Sequence, residues 1–205
     1  HNMSAVLRLT EEAILLDKGK LVMRGPTQET VDFYMSTGYA QTGQRIWEAD
    51  EIPESATPFL PVELRLCNQK GRTVDTVRST EPITINVKYE LKAPITGLRV
   101  GLYLMTTRGE YVFTSFDTDQ PEMYERFSVR PAGIYTSSCT LPANFLNEGR
   151  YVLGLNASSF RVKRYFQDEQ ALTFTVDVSG APGMQWPENR LGPVRPALEW
   201  SIEAQ

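Results

Sequence analysis

Apolar and polar residues alternate with a period of two along most of the chain beyond residue 60. The clearest case is the segment 83–91, where Ile83, Ile85 and Val87 are separated by polar residues. This period places every second side chain on the same face, which is typical of a β-strand with one buried face. The alternation predicts seven further strands, at residues 62–66, 98–104, 111–115, 134–140, 151–155, 172–178 and 198–202. Short strands separated by turns, with almost no helix, predict an all-β fold, specifically an antiparallel β-sandwich.

The first 38 residues follow a different pattern, which predicts a short α/β appendage. Two apolar segments, 13–16 and 21–23, flank a turn at 17–20 and predict a β-hairpin. Residues 27–36 then carry apolar side chains at helical spacing, and they predict a helix that stops at Gly38. Because a two-stranded hairpin is only marginally stable alone in water, we expect it to dock on the sandwich or on another copy of the chain.

Residues 39–58 separate this appendage from the alternating region. They are mostly polar, contain the acidic run 48–51 and show no hydrophobic period. Turn-forming and charged residues without a period are typical of a linker between domains. The sequence therefore predicts three parts, an appendage over 1–38, a linker over 39–58 and a sandwich over 59–205.

The end of the chain combines a flexible composition with a final apolar strand. Residues 179–196 are rich in glycine and proline, and the strand predicted at 198–202 follows them. Trp200 alternates with Leu198 and Ile202, so we expect it in the core. A strand on such an arm is also able to leave the body and pair with a second copy, which is a low-cost route to a dimer.

Composition excludes several classes of function. A net charge of −4 and a pI near 5.2 argue against a nucleic-acid-binding surface. The single histidine, His1, and the lack of a Cys/His cluster leave neither a zinc site nor a histidine-dependent triad, and we expect no cofactor. No run of eighteen apolar residues and no signal-peptide pattern is present. Cys67 and Cys139 lie in predicted strands, as two buried thiols or as a disulfide between facing strands.

The N-terminal segment resembles the closing part of an ABC-transporter ATPase. His1 stands in the place of the switch histidine, and a short helix and the hairpin sequence LLDKGK at 15–20 follow it. The next helix carries the matching residues Gly25, Glu29, Val31 and Tyr34. The resemblance implies a module fused behind an ATPase. Walker A, Walker B and signature motifs are absent from these 205 residues, so we expect no ATP hydrolysis by this fragment.

The alternating region carries a second set of motifs. Their order along the chain is G-x-Y at 133–135, L-P at 141–142, L-x-x-G-x-Y at 146–151, G-x-V-R-P at 192–196, and Trp200. Together they resemble the C-terminal domain of Wzt-type ATPases, which export lipid-linked O-antigen polysaccharide. The motif residues have structural roles first, because glycines and prolines at strand ends set turns and remove ladder donors.

This resemblance implies both a fold and a function. The implied fold is an immunoglobulin-like or jelly-roll sandwich, and the implied function is non-catalytic recognition of O-antigen polysaccharide, at its non-reducing end. The implied partners are a second copy of the chain, held by exchange of the C-terminal strand, and a transmembrane permease reached through the intact ATPase. The implied location is the cytoplasmic side of the bacterial inner membrane.

A glycan site needs a flat aromatic ring for the apolar face of a sugar and fixed hydrogen-bonding groups for its hydroxyls. The solvent-facing positions of the strands at 83–91, 98–104 and 151–155, taken as neighbours, supply such groups. Gly101 and Gly154 are expected to leave a groove on this face, because they carry no side chain. The leading candidates are Tyr103, Arg99, Asn86, Lys88 and Asn156.

Aromatic residues in the predicted loops are second candidates. They are interleaved with basic residues, which would suit an anionic or capped glycan end; the set is Tyr124, Phe160, Tyr165, Phe166, Arg161, Lys163 and Arg164. Trp186 either stacks on sugar or packs the arm that carries the last strand.

Two other functions stay open at this point. One is a purely structural dimerisation domain that stabilises a pair of ATPases without binding glycan. The other is a glycan-modifying enzyme, which would need two carboxylates facing each other across a cleft. The loop residues Asp117, Asp119 and Glu122 are the candidates for such a pair.

Overall fold

The computed structural model describes residues 3–17, 19–37, 43–186 and 190–204, so His1, Gly38 and the start of the predicted linker lie outside the described residues. The N-terminal unit consists of helix α1 (Met3–Leu9), strands β1 (Glu12–Asp17) and β2 (Lys20–Pro26), and helix α2 (Thr27–Thr37). The predicted hairpin and helix are therefore present, within three residues of the predicted bounds.

The rest of the chain is mostly β-structure, and the predicted antiparallel sandwich is confirmed. Its strands are β3 (Gln44–Ile46), β4 (Phe59–Cys67), β5 (Thr76–Arg78), β6 (Ile83–Leu91), β7 (Ile95–Thr96), β8 (Leu98–Thr106), β9 (Tyr111–Phe116), β10 (Val129–Arg130), β11 (Gly133–Leu141), β12 (Gly149–Ser159) and β13 (Lys163–Asp177). A 3₁₀ turn (Glu54–Ala56) and helix α3 (Pro121–Arg126) complete it.

Two sheets form the layers of the sandwich. One has four strands in the order β11-β6-β4-β3, and the other has five in the order β5-β13-β12-β8-β9. Neighbouring strands are antiparallel except β5, which pairs with β13 in parallel. A two-residue pairing of β7 with β10 stands apart from both sheets.

The core lies between the two sheets and is formed by the alternate side chains of each strand that point inward. On the four-stranded side Leu64, Ile85 and Tyr89 point inward, and on the five-stranded side Leu104 and Leu153 do. Burying a side chain of this size contributes about 1.5–3 kcal/mol, so the period of two that identifies the strands also supplies the energy that holds the sheets together.

The segment assigned to a linker contributes to the sandwich from residue 44 onward. Strand β3 pairs with β4 at the edge of the four-stranded sheet. Trp47 is buried, packs edge-on against Phe166 and donates a hydrogen bond from Nε1 to Oδ2 of Asp168 at 3.0 Å. A single tryptophan among polar residues carries no period, which is why the sequence pattern does not reveal this contact.

The N-terminal unit packs on the outer face of the five-stranded sheet. Val31 of α2, Met105 of β8 and Val152 of β12 bury one another, and Val6 and Leu7 of α1 pack against them. Met105 and Val152 point away from the sandwich core, yet they are 6% and 0% exposed. The docking expected of the appendage is thus seen on the sandwich. We call the sheet surface formed by Met105 and Val152 the covered end.

The C-terminal segment differs from its prediction. Among the described residues 190–204, the structure shows an isolated bridge between Val194 and Leu146 and no strand at 198–202. Trp200 is 87% exposed, so its assignment to the core is wrong. Within the described part of the chain, residues 198–202 pair with no strand, and Leu198, Trp200 and Ile202 are exposed.

The two cysteines are free thiols on opposite faces of the four-stranded sheet. Cys139 packs on the core, whereas the Cys67 thiol accepts a hydrogen bond from the outward-facing amide of Asn86. A disulfide between facing strands is therefore not formed. Within the described ranges, no helix is both long and apolar enough to cross a bilayer, and no three His, Cys, Asp or Glu residues are grouped as a metal site.

Candidate functional site

A groove runs over the outer face of the five-stranded sheet beside the turn that joins β12 to β13. Arg99 and Tyr103 reach it from β8, while Asn156 and Ser158 reach it from β12, where Ser158 lies opposite Arg99. Its volume is about 350 Å³. We call it the cationic groove, and its lining is completed by Phe116, Ser159, Phe160, Arg161, Val162, Lys163 and Arg164.

Arg99 is held in place from three sides. Its Nε donates a hydrogen bond to Oγ of Ser158 at 3.2 Å. Its guanidinium carbon lies 4.3 Å from the ring centroid of Phe116 and 5.0 Å from that of Phe160. A guanidinium carries five N–H donors, and stacking on two rings fixes the plane in which they point. Arg99 is therefore a pre-oriented donor.

Asn156 extends this arrangement. The residue is buried, and its Oδ1 accepts a hydrogen bond from Oγ of Ser158 at 2.9 Å. A carboxamide has an acceptor oxygen and a donor nitrogen, so engaging the oxygen directs the side chain to act as a donor. The chain of contacts from Asn156 through Ser158 to Arg99 links three of the groove's polar groups into one network.

Tyr103 supplies aromatic surface next to this network. Its ring meets Tyr111 edge-on at 5.9 Å between centroids. Burial raises the pKa of Tyr103, and the charge of Arg164 offsets part of that effect. The hydroxyl is protonated at neutral pH and is able to donate or accept a hydrogen bond.

The groove is not formed by the absence of side chains at Gly101 and Gly154. A Cβ on Gly101 would overlap with the Phe116 ring, and one on Gly154 would lie 2.7 Å from the carbonyl oxygen of Glu169. The space above both glycines is filled, so the prediction of a glycine-lined groove is wrong. The glycines instead let Phe116 and the irregular part of β13 approach the sheet closely.

Asn86 and Lys88 are not brought to this site. They lie on β6 in the four-stranded sheet, whereas Arg99 and Tyr103 lie on β8 in the five-stranded sheet, so the expectation that these strands are neighbours is wrong. Oδ1 of Asn86 accepts a hydrogen bond from Ser138 at 2.7 Å. Lys88 is exposed on the same sheet face.

Trp186 does not line the cationic groove either. It is exposed and lines a separate cavity of about 570 Å³, formed with the β8–β9 turn and the segment around residues 190–195. Arg99 is the second residue of β8 and Thr106, which lines this cavity, is the last. The two cavities thus lie at opposite ends of the same strand.

The aromatic residues that were predicted in loops lie in different environments, and Tyr165 and Phe166 belong to strand β13. Phe160 is exposed and lines the cationic groove together with Arg161, Lys163 and Arg164. Phe166 is buried in the core, and Tyr124 lies exposed on helix α3. Tyr165 packs against the core and lies under the ammonium of Lys163 at 5.1 Å.

Two of the three candidate carboxylates are engaged in structural hydrogen bonds, and the third, Glu122, lies exposed on helix α3. Asp117 accepts from the backbone of Val100 at 2.9 Å and, through its other oxygen, from Arg130 and Ser137. Asp119 accepts from Ser115 and from the backbone of Phe116. Both line a cavity of about 320 Å³ between the sheets, but their oxygens already hold the turn after β9 in place.

Four residues that line the groove are not among the sequence-based candidates, namely Phe116, Ser158, Ser159 and Val162. Ser158 lies beyond the predicted end of its strand at 155, because the residues after it have no apolar alternation. Phe116 follows the strand predicted at 111–115. The glycine at position 101 is the one sequence feature that points to Phe116. A glycine within a strand is typical of a close approach by a neighbouring group, which here is the Phe116 ring.

Comparisons with known proteins agree with this architecture. A family model described as the Wzt C-terminal domain matches residues 62–186, which is more than half of the chain. A crystal structure of the C-terminal domain of Wzt superposes with a TM-score of 0.57 at 13% identity, covering 85% of this chain and 96% of that one.

Other solved structures are less similar. The CARDB domain of a Pyrococcus furiosus protein gives a TM-score of 0.31 at 13% identity, over 59% of this chain and 94% of its own. The soluble domain of PmoD from Methylocystis sp. (Rockwell) gives 0.29 at 14% identity, over 56% and 91%. A search of functionally curated proteins found no match. The family match and the shared fold together show that this chain belongs to the Wzt C-terminal domain family.

Proposed function

We propose that this chain recognises O-antigen polysaccharide in the cationic groove, without chemical change, so that an ABC transporter exports it. The family is that of a domain of O-antigen transporters, and the observation that supports a glycan site here is the groove itself. It combines aromatic surface from Tyr103 and Phe160 with the fixed donors of Arg99 and Asn156. A pyranose presents an apolar face and a rim of hydroxyls, which this combination complements.

The bounds of the groove favour a chain end over a long internal stretch. The turn at residues 160–162 closes it at one side, and helix α2 covers the sheet from Met105 onward. Arg99 and Met105 are six residues apart, about 20 Å along a strand. A groove of this length holds a few sugar units, so we propose the non-reducing end of the polysaccharide as the ligand.

The test is binding of the purified chain to O-polysaccharide from its own source, compared with polysaccharides from unrelated strains. Titration calorimetry should show selective binding, and Tyr103→Ala should weaken it about fivefold, since a ring contact of this kind contributes about 1 kcal/mol. Selective binding that ignores this substitution would move the site elsewhere. A folded chain that binds no cognate polysaccharide would favour the structural-domain alternative.

We further propose that the chain acts as a homodimer whose C-terminal segment pairs with a second copy. The supporting observation is the alternation of Leu198, Trp200 and Ile202, all strongly exposed in the single chain. Deleting residues 197–205 should turn a dimer into a monomer in light scattering, and a dimer that persists would contradict the exchange. The intact parent would place the module at the cytoplasmic side of the inner membrane, in contact with the permease through its ATPase.

A further inference from the structure

We infer that the cationic groove selects a glycan end carrying a negatively charged substituent, either the carboxylate of an acidic sugar or a phosphate ester. The inference rests on the proposed function and narrows its ligand. Four cationic residues of the described chain line the groove, Arg99, Arg161, Lys163 and Arg164, and the ammonium of Lys163 already donates to the backbone oxygen of Thr57 at 2.9 Å. No Asp or Glu is among its described lining residues, although the whole chain carries a net charge of −4.

No carboxylate of the described chain forms an ion pair with these cations, although the charge of Glu169 acts on Tyr103 beside them. Among the described residues, ion pairs engage Arg24, Arg45, Arg65, Lys92 and Arg130, and no groove residue. Like charges gathered on one surface repel each other, so the cluster is unfavourable without a counter-charge. An anionic ligand removes that repulsion on binding.

The hydrogen-bonding groups point to the same ligand. Arginine and lysine side chains are pure donors with no acceptor atom. Oδ1 of Asn156, an acceptor in this cluster, is already engaged by Ser158. A neutral sugar hydroxyl both donates and accepts, so a surface made chiefly of donors matches it only in part. Carboxylate and phosphate oxygens are pure acceptors at neutral pH and match such a surface fully.

Arg99 has the geometry that this contact needs. Its Nε is bonded to Ser158 and its plane is fixed by Phe116 and Phe160. The terminal nitrogens are then able to form the two parallel bonds with which arginine binds carboxylate or phosphate. Arg164 lies opposite Ser158 in the ladder and so approaches the same point from β13.

The test uses pairs of small sugars that differ only at C6, where one member of each pair carries a carboxylate or a phosphate. Methyl α-D-glucuronide is compared with methyl α-D-glucoside, and glucose 6-phosphate with glucose, by following the amides of residues 156–164 in NMR titrations. At least one charged sugar should bind about tenfold more tightly than its neutral counterpart, and the preference should fade from about 0.05 to 0.5 M NaCl. The glucuronide and phosphate arms distinguish the two sources of charge.

Variants locate the effect. Arg164→Gln alone, and Arg99→Gln with Arg164→Gln, should each remove the preference for the charged sugar. The control is Lys70→Gln with Arg72→Gln, which removes two exposed charges from the β4–β5 turn and should leave the preference intact. Equal binding of charged and neutral sugars, no shift by either charged sugar up to about 50 mM, or a preference untouched by the arginine variants would overturn the inference.

The outcome is separable from that of the proposed function. Cognate polysaccharide that binds without any charge preference would leave the proposed function standing and overturn this inference. If charged sugars bind and the cognate polysaccharide does not, this inference would stand and the proposed function would be overturned.

Discussion

One end of the outer face of the five-stranded sheet is covered by the protein itself, and the other end is open. Met105 and Val152 form the covered end of the five-stranded sheet, where helix α2 buries them with Val31. On the same strands β8 and β12, Arg99 and Ser158 form part of the cationic groove, which is open. Apolar side chains on an outer face require a partner that excludes water, and here the chain supplies it. Cationic and polar side chains are solvated until a ligand replaces the water. The side chains along β8 and β12 thus change from apolar residues that bind helix α2 to polar and cationic residues that are free to bind a ligand.

Tyr103 lies between the two ends, two residues from Met105 and four from Arg99. A ligand that reaches Tyr103 from the groove therefore comes next to the residues that hold the N-terminal unit. The outer face of the four-stranded sheet offers a contrast. Asn86 bonds to Ser138 and Cys67 there, and Arg65, which lies opposite Asn86, is already ion-paired with Glu63.

The largest expected effect comes from placing a charge at the covered end. Val152→Asp would bury a carboxylate beside Val31 and Met105, so helix α2 should detach instead. The contact of three apolar side chains contributes about 3 kcal/mol or more, so amide exchange of residues 27–37 should accelerate at least about 100-fold. Val152→Ala, which keeps the site apolar, should accelerate it by less. Unchanged exchange in the aspartate variant would show that α2 is not held by this contact.

The next effect concerns the support beneath Arg99. Gly101→Ala would force the Phe116 ring to move, and overpacking of this kind lowers the free energy of unfolding by about 2 kcal/mol. Urea unfolding measures this change, and glycan affinity should fall with it, because Phe116 fixes Arg99. Gly25→Ala is the matched control, since open space surrounds that position. Equal stability of both variants would contradict the close packing at Gly101.

A smaller effect is expected from the exposed ring of the groove. Phe160→Ala should weaken polysaccharide binding about fivefold, the equivalent of about 1 kcal/mol of ring contact. The free energy of unfolding should change by less than about 0.5 kcal/mol, because the side chain is mostly exposed. Calorimetric binding and urea unfolding separate the two quantities. A variant that loses stability but keeps affinity would give Phe160 a structural role.

The smallest effect is expected on the four-stranded sheet. Lys88→Gln removes an exposed cation from the four-stranded sheet, whereas the cationic groove lies on the five-stranded sheet. The polysaccharide affinity should therefore stay within about twofold of that of the unmodified chain. The same titration as for Phe160→Ala measures it. A loss comparable to that of the groove variants would relocate the site to the face of β6.

The sequence predicts the strands well and their partners poorly. A period of two reveals which residues of 83–91 and 98–104 face outward, but it contains no information on which strand lies beside which. Arg99, Tyr103 and Asn156 were found because they are outward positions of strands that share a sheet. Asn86 and Lys88 came from the same pattern and lie in the other sheet. Trp200 shows a further limit of the sequence pattern. Apolar alternation indicates that a strand needs a surface to pack against, but it does not reveal whether that surface belongs to the same chain or to another copy.

The location of the bound glycan distinguishes the cationic groove from the other surfaces of the molecule. Hydrogen exchange of the full chain should be measured with and without saturating O-polysaccharide from its own source. We predict protection at residues 98–103 and 156–164, with no change at 84–88 or 184–195. Protection confined to either of the latter segments, with none at the groove, would show that the glycan does not bind in the cationic groove.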